Sequence, residues 1–219
     1  MIRHKENITR RSLLKGALRV GLASLAAPLA GAAGGQPAAE SWDFTKRGIE
    51  GWTTVTGSWA VEDIPGASGG GRVLVQREKK NTFNVIVAPL GPYSDVDVSV
   101  KFKPISGKED ASGGIVFRFV DGKYYLVRAN ALEDNFRFYY YDGGRRMLAS
   151  ARVQAPALGQ WHAVRVAAAG DRVQAWLDGA LLLDYRDQRF RAGSIGLWTK
   201  ADSVTAFDEL IVRGARAAG

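Results

Sequence analysis

Cysteine is absent from this chain, so no disulfide staples it and no thiolate serves as nucleophile or metal ligand. Histidine is almost as scarce. Only His4 and His162 occur, which rules out a metal centre built from imidazoles and thiolates. Beyond the first thirty or so residues no segment has a helical spacing of apolar positions, and no low-complexity tract or second domain interrupts the pattern. Disulfides are common in oxidising compartments but not obligatory, and a chain of this length buries enough surface to be stable without them.

What is present begins with Thr9-Arg10-Arg11-Ser12-Leu13-Leu14-Lys15, a twin-arginine export pattern, followed by an apolar run from Gly16 to Ala33. Ala30-Gly31-Ala32 fits a small-x-small cleavage site, so residues 1–32 are expected to be a signal peptide cleaved after Ala32. The alternative is an uncleaved anchor. The run is only weakly apolar and contains Arg19, which makes it a poor permanent span. These features predict a bacterial protein, periplasmic or secreted, that engages the twin-arginine machinery and has no membrane span after cleavage. Residues 33–40 read as a linker, 41–213 as the domain and 214–219 as a tail.

Removing the leader changes the charge argument. The full chain carries +8, whereas residues 33–219 hold 24 Lys/Arg against 21 Asp/Glu, a net +3. A nucleic-acid footprint needs a clustered basic excess, so nucleic acid is not an expected partner.

Short alternating segments fill the rest. Val96, Val98, Val100 and Phe102 alternate with Asp95, Asp97, Ser99 and Lys101, the clearest half-buried strand in the sequence. From Gly113 to Arg152 four strand-length segments follow one another, joined by turns at Asp121-Gly122, Ala131–Asp134 and Asp142-Gly143-Gly144. Ile115, Phe117 and Phe119 share one parity, opposite Val116 and Arg118. Sorted by parity, one face is apolar and the other gathers Arg118, Tyr124, Arg128, Asn130, Arg137 and Tyr139. Such a face suits a polar, neutral or acidic ligand such as a glycan, or is simply the solvated side of a sheet. Trp198 and Lys200 share a parity as well, which would set an aromatic platform beside a cation. Trp198 in the core and Lys200-Ala201-Asp202 as a plain turn is the other reading. Roughly a dozen short strands with regular turn signals predict an all-β, two-sheet antiparallel sandwich.

Several motifs carry a resemblance: Gly159-Gln160-Trp161-His162-Ala163-Val164, Gly170-Asp171-Arg172-Val173, Leu177-Asp178-Gly179, Gly193-Ser194-Ile195-Gly196-Leu197-Trp198 and Ala206-Phe207-Asp208-Glu209-Leu210. With Gly51-Trp52 and Gly57-Ser58-Trp59-Ala60-Val61 they resemble the concanavalin A-like, laminin G-like jelly-roll superfamily. Within it the chain looks most like bacterial 3-keto-disaccharide hydrolase-like, glycosidase-related domains, over about residues 41–213. The resemblance implies two stacked sheets, one concave, with glycans met on the concave side or its rim. It also implies a structural calcium between the first and last strands, where Asp43 and Asp208 sit, with carbonyls and water completing the shell. Trp161 and Phe207 are expected in the core. His162 beside Trp161 invites a catalytic reading, although a single strand-initial histidine is more often structural.

The Glu-x-Asp-x-x-Glu strand of laminarinase-type jelly-roll glycosidases is missing. Glu62-Asp63, Glu109-Asp110 and Glu133-Asp134 are adjacent pairs whose members point to opposite faces if they lie on strands. If the protein is an enzyme, Glu133 and Asp134, in the loop after Arg128 and Asn130, are the candidate acid/base groups. The first expectation is nevertheless a carbohydrate-binding module. The alternatives are a glycoside hydrolase or lyase acting on a (3-keto) disaccharide or glycan, and a structural envelope module that meets protein partners.

Overall fold

A computed structural model describes residues 39–67, 71–80 and 82–217. The expected signal peptide and most of the linker lie outside the described residues. Fifteen strands occur, and the described residues contain no helix: β1 (Glu40–Trp42), β2 (Thr53–Thr56), β3 (Trp59–Asp63), β4 (Arg72–Gln76), β5 (Phe83–Val87), β6 (Tyr93–Ser106), β7 (Ser112–Val120), β8 (Lys123–Asn130), β9 (Asn135–Tyr141), β10 (Arg145–Arg152), β11 (His162–Ala169), β12 (Arg172–Leu177), β13 (Ala180–Arg186), β14 (Ser194–Lys200) and β15 (Val204–Arg216). The last strand runs to Arg216, past the expected boundary at 213, and Arg216 donates to Glu40 Oε1 (2.9 Å) and the Gly91 carbonyl (3.1 Å).

The strands form two antiparallel sheets. One runs β13-β12-β11-β6-β15-β4-β3, with β1 also paired to β15. The other runs β10-β9-β8-β7-β14-β5-β2. This is the all-β two-sheet sandwich that the alternation predicts, in the jelly-roll form that the resemblance implies. Between the sheets lie Val96, Val98, Val100, Phe102 and Phe207 from the first and Ile86, Ile115, Phe117, Val127, Phe138 and Leu197 from the second, all buried. The β6 pattern is the one read from sequence, because its outer face meets water. Hairpin turns at Asp121, Asp178 and their following glycines adopt positive φ, which Asp tolerates and Gly accepts without cost.

Two core expectations differ. Phe207 is buried as expected, but Trp161 is only partly buried and packs on the outer face of the first sheet. There its indole N–H donates to the Gly66 carbonyl at 2.6 Å, holding the loop after β3 against Val73, Val75 and Val204. On β8 the alternation does not separate core from solvent at all: every residue from Tyr124 to Asn130 is buried. The outer face of the second sheet therefore carries an apolar cluster of its own, made by Val85, Val87, Val116, Tyr124, Leu126, Tyr139 and Trp198.

Candidate functional site

The outer face of the seven-stranded sheet is built from cross-strand rows. Val85, Trp198, Gly114, Arg128 and Arg137 follow one another across β5, β14, β7, β8 and β9. Val87, Gly196, Val116, Leu126 and Tyr139 form the next row. Phe83 on β5 and Tyr141 on β9 are four strands apart, about 19 Å in a flat sheet. Their ring centroids are 5.9 Å apart. The sheet must curl so that these corners fold toward each other over the face. Phe83 also lies 5.6 Å from Trp198, and Tyr141 stacks on Tyr124 at 5.0 Å. Beside this aromatic bridge is a cleft of about 410 Å³ lined by Val55, Thr56, Phe83, Phe119, Tyr124 and Tyr141.

On the other side of the bridge the face is charged. Arg128 donates to Asn135 Oδ1 (2.8 Å), Glu133 Oε2 (2.8 Å) and the Tyr139 hydroxyl (3.2 Å). Arg137 lies 3.5 Å from the same Glu133 oxygen. Lys200 lies 3.4 Å from Asp110 and 3.9 Å from Glu109. Arg145, at the start of β10, lays its guanidinium 4.5 Å from the Tyr139 ring, 5.0 Å from Phe83 and 5.6 Å from Trp198.

Of the residues singled out from sequence, the structure gathers Tyr124, Arg128, Arg137, Tyr139, Trp198 and Lys200 on this face. It moves Arg118 elsewhere. Arg118 has φ of 51° and sits in a bulge, where the β7–β8 register breaks between Phe117 and Val120. The bulge turns Phe119 onto the outer face, where it stacks on Tyr124. It also sends the arginine to the end of the sandwich. There Arg118 donates to the carbonyls of Ser94, Phe190 and Gly170 and is 1% exposed, a pin rather than part of the face. Trp198 has the expected parity but is fully buried under Phe83 and Arg145, so its ring offers no open platform. Asn130 accepts the amides of Ala111 and Leu132 and so caps the turn after β8.

Glu133 is tied into the arginines. Burial works to raise its carboxyl, but hydrogen bonds from Asn135 and Arg128 and the charges of Arg128 and Arg137 outweigh it and hold it below the usual carboxylate range. Such a group is ionised at neutral pH, able to accept a proton but not to serve as a general acid. Asp134 is exposed in the turn. His162 binds Asp178 Oδ2 through Nδ1 (2.8 Å) at the β11–β12 end, on the other sheet.

Asp43 accepts the Thr45 amide (2.9 Å) and pairs with Lys46 (3.1 Å), while Asp208 accepts the Glu209 amide (2.8 Å). Among the described residues no three His, Cys, Asp or Glu side chains gather as a metal cluster. A calcium ion held here would draw its shell chiefly from carbonyls and water.

Sequence reasoning passed over Phe83, Phe119, Tyr141 and Arg145. For Arg145 a signal existed: across the Asp142–Gly144 turn it faces Tyr141 in register, which puts it on the Tyr139 side. Nothing local announces that Phe83 crosses to Tyr141.

Comparison with known proteins agrees with this architecture. The carbohydrate-binding module CBM66 of Bacillus subtilis superposes with a TM-score of 0.65 at 23% identity, covering 75% of this chain and 96% of the module. Domain 4 of an extracellular arabinanase from Geobacillus stearothermophilus, solved with arabinotriose, superposes at 0.55 with 14% identity, over 84% of this chain and 95% of that one. In sequence, a levanase of Bacillus subtilis is 27% identical over 154 residues, 68% of this chain; the match spans only 21% of the levanase. The family model described as the 3-keto-alpha-glucoside-1,2-lyase-like domain matches residues 43–213, which takes in both sheets and the curled face between Phe83 and Arg145, and the chain belongs to that family.

Proposed function

We propose that the domain is an exported module that binds a saccharide on the curled outer face of the seven-stranded sheet. The observation that carries this reading is the pairing, on one face, of an aromatic cleft with enclosed polar donors that lack partners. Phe83, Phe119 and Tyr141, each partly exposed, supply ring surface for a sugar. Arg128 Nε, Arg137 Nε and Arg145 Nη1 are enclosed and have no acceptor, and unpaired buried donors are costly unless something completes them. The likeness to a carbohydrate-binding module and the partial match to a levanase support the same reading.

Saturable binding to an oligosaccharide on a broad array of neutral and acidic glycans, weakened by Tyr141→Ala, is the expected result. Silence across the array, with the protein folded, overturns the reading. Export is tested by replacing Arg10 and Arg11 with lysine, which should retain the precursor in the cytoplasm. N-terminal sequencing of the exported form should begin at Ala33.

The lyase description of the family supports a second reading, in which Glu133 acts as a base toward a 3-keto-glycoside on the same face. Release of sugar from 3-keto-glucosides, lost in Glu133→Gln, would establish turnover. Full activity of that variant rejects the assignment of Glu133.

A further inference from the structure

Each basic side chain on the curled face forms an ion pair with an acid except one. Arg128 and Arg137 share Glu133, and Lys200 has Asp110 and Glu109. Arg145 is half-buried among the rings of Tyr139, Phe83 and Trp198, and no carboxylate of the described residues pairs with it. Its Nη1 is enclosed without an acceptor. Ring faces attract the cation but offer no lone pair in the guanidinium plane. Four cations therefore face three carboxylates, and the surplus charge sits at Arg145. Burial pushes the Arg145 guanidinium below its ordinary range and the charge of Arg128 adds to that, while Tyr139 and the Asp110 carboxylate, which lies beyond ion-pair distance, only partly oppose it. A neutral hydroxyl would fill the open N–H but leave this charge uncompensated. A carboxylate answers both, since its two oxygens match the guanidinium fork. Phe83 joins the two halves of the face, because it lines the aromatic cleft and carries Arg145 at 5.0 Å.

We infer that the saccharide taken by this face is acidic, an oligosaccharide with one ring in the Phe83–Tyr124–Tyr141 cleft and, across the Phe83–Tyr141 bridge, a uronic-acid unit whose carboxylate pairs with Arg145. This rests on the saccharide reading above and narrows it.

The test is calorimetric titration of the purified full chain with uronate trisaccharides (galacturonate, glucuronate and mannuronate), their carboxyl-reduced counterparts, and a sulfated oligosaccharide. One uronate should bind, and its carboxyl-reduced form should bind roughly tenfold to a hundredfold more weakly. The affinity for the acid should fall with added salt. Arg145→Gln should abolish the preference of acid over reduced ligand, and Arg145→Lys should restore part of it. The ligand-side comparison stands even if a variant fails to fold. Equal binding of acid and reduced forms overturns the inference and leaves the saccharide reading intact. Binding of the sulfated ligand alone also overturns it, by replacing carboxylate with sulfate. If no glycan binds at all, acidic or neutral, the saccharide reading itself fails.

Discussion

Replacing Arg118 separates the role its sequence position suggests from the role the fold assigns. Arg118 makes four hydrogen bonds to three carbonyls: Nη2 to Ser94 (2.8 Å) and Gly170 (2.8 Å), Nε to Ser94 (3.2 Å) and Nη1 to Phe190 (2.9 Å). These carbonyls belong to β6, the β11–β12 turn and the segment before β14, so one guanidinium ties the second sheet to the first. Arg118→Met keeps most of the stem's packing and removes every donor. An orphaned carbonyl costs about 1 kcal/mol or more, and bonds from a charged donor are worth about 1.5–3 kcal/mol each. Two terms offset this. Burial pushes the Arg118 guanidinium down, so deleting it recovers some desolvation cost, and water can rehydrate the Gly170 carbonyl at the surface. The positive φ stays with either side chain and cancels. The expected net loss is about 2–3 kcal/mol, read as a lower urea midpoint and a melting temperature lower by roughly 2–4 °C per kcal/mol in a domain of this size. Saccharide affinity of the folded variant should match the parent. A loss below about 1 kcal/mol, or normal stability with abolished binding, would refute the pin and return Arg118 to the binding face.

Three further outcomes follow from the same geometry. Glu133 and Asp202 are both held below the usual carboxylate range. Burial opposes this in each, and Asn135 with Arg128, or the amides of Lys108, Asp110 and Glu109, outweigh it. A depressed folded-state pKa contributes stability that is present above the unfolded value and lost as pH falls through the folded one. Urea midpoints should therefore drop below about pH 4.3, less steeply in Glu133→Gln, whose cost at neutral pH should be about 1 kcal/mol because the group is partly exposed. At the alkaline end, burial and then a carboxylate neighbour (Glu40, Asp187) push Tyr93 and Tyr125 up to about 12. Their stabilisation is present below the ordinary tyrosine pKa and lost as pH rises through about 12; burial pushes Tyr124 up further still, so ultraviolet titration should show three late phenols and unfolding should accompany them. Gly196→Ala would set a Cβ 2.4 Å from the Ile86 carbonyl, forcing β14 from β5. A loss of about 1–3 kcal/mol is expected, and an unchanged melting temperature would contradict the close approach.

The sequence by itself determined the sandwich. A two-residue period in β6 says which side chains face the partner sheet, and Asp-Gly pairs say where the chain reverses, because both are properties of a few consecutive residues. Parity also placed Trp198 and Lys200 on one side, and Arg128, Arg137 and Tyr139 on another strand's matching side, correctly. Parity is defined only relative to a residue's own strand. A one-residue bulge at Arg118 reversed it for Phe119, and nothing in the local pattern marks where a bulge falls. Whether an outer face meets water or a second apolar layer depends on sheet curl, which is summed over strands distant in sequence. That is why Trp198 ended under Phe83 and Arg145 rather than in the open, and why Arg145 came to lie over rings drawn from three other strands. The ladder of local alternation fixed the fold; only the long-range curvature decided which side chains meet across its surface.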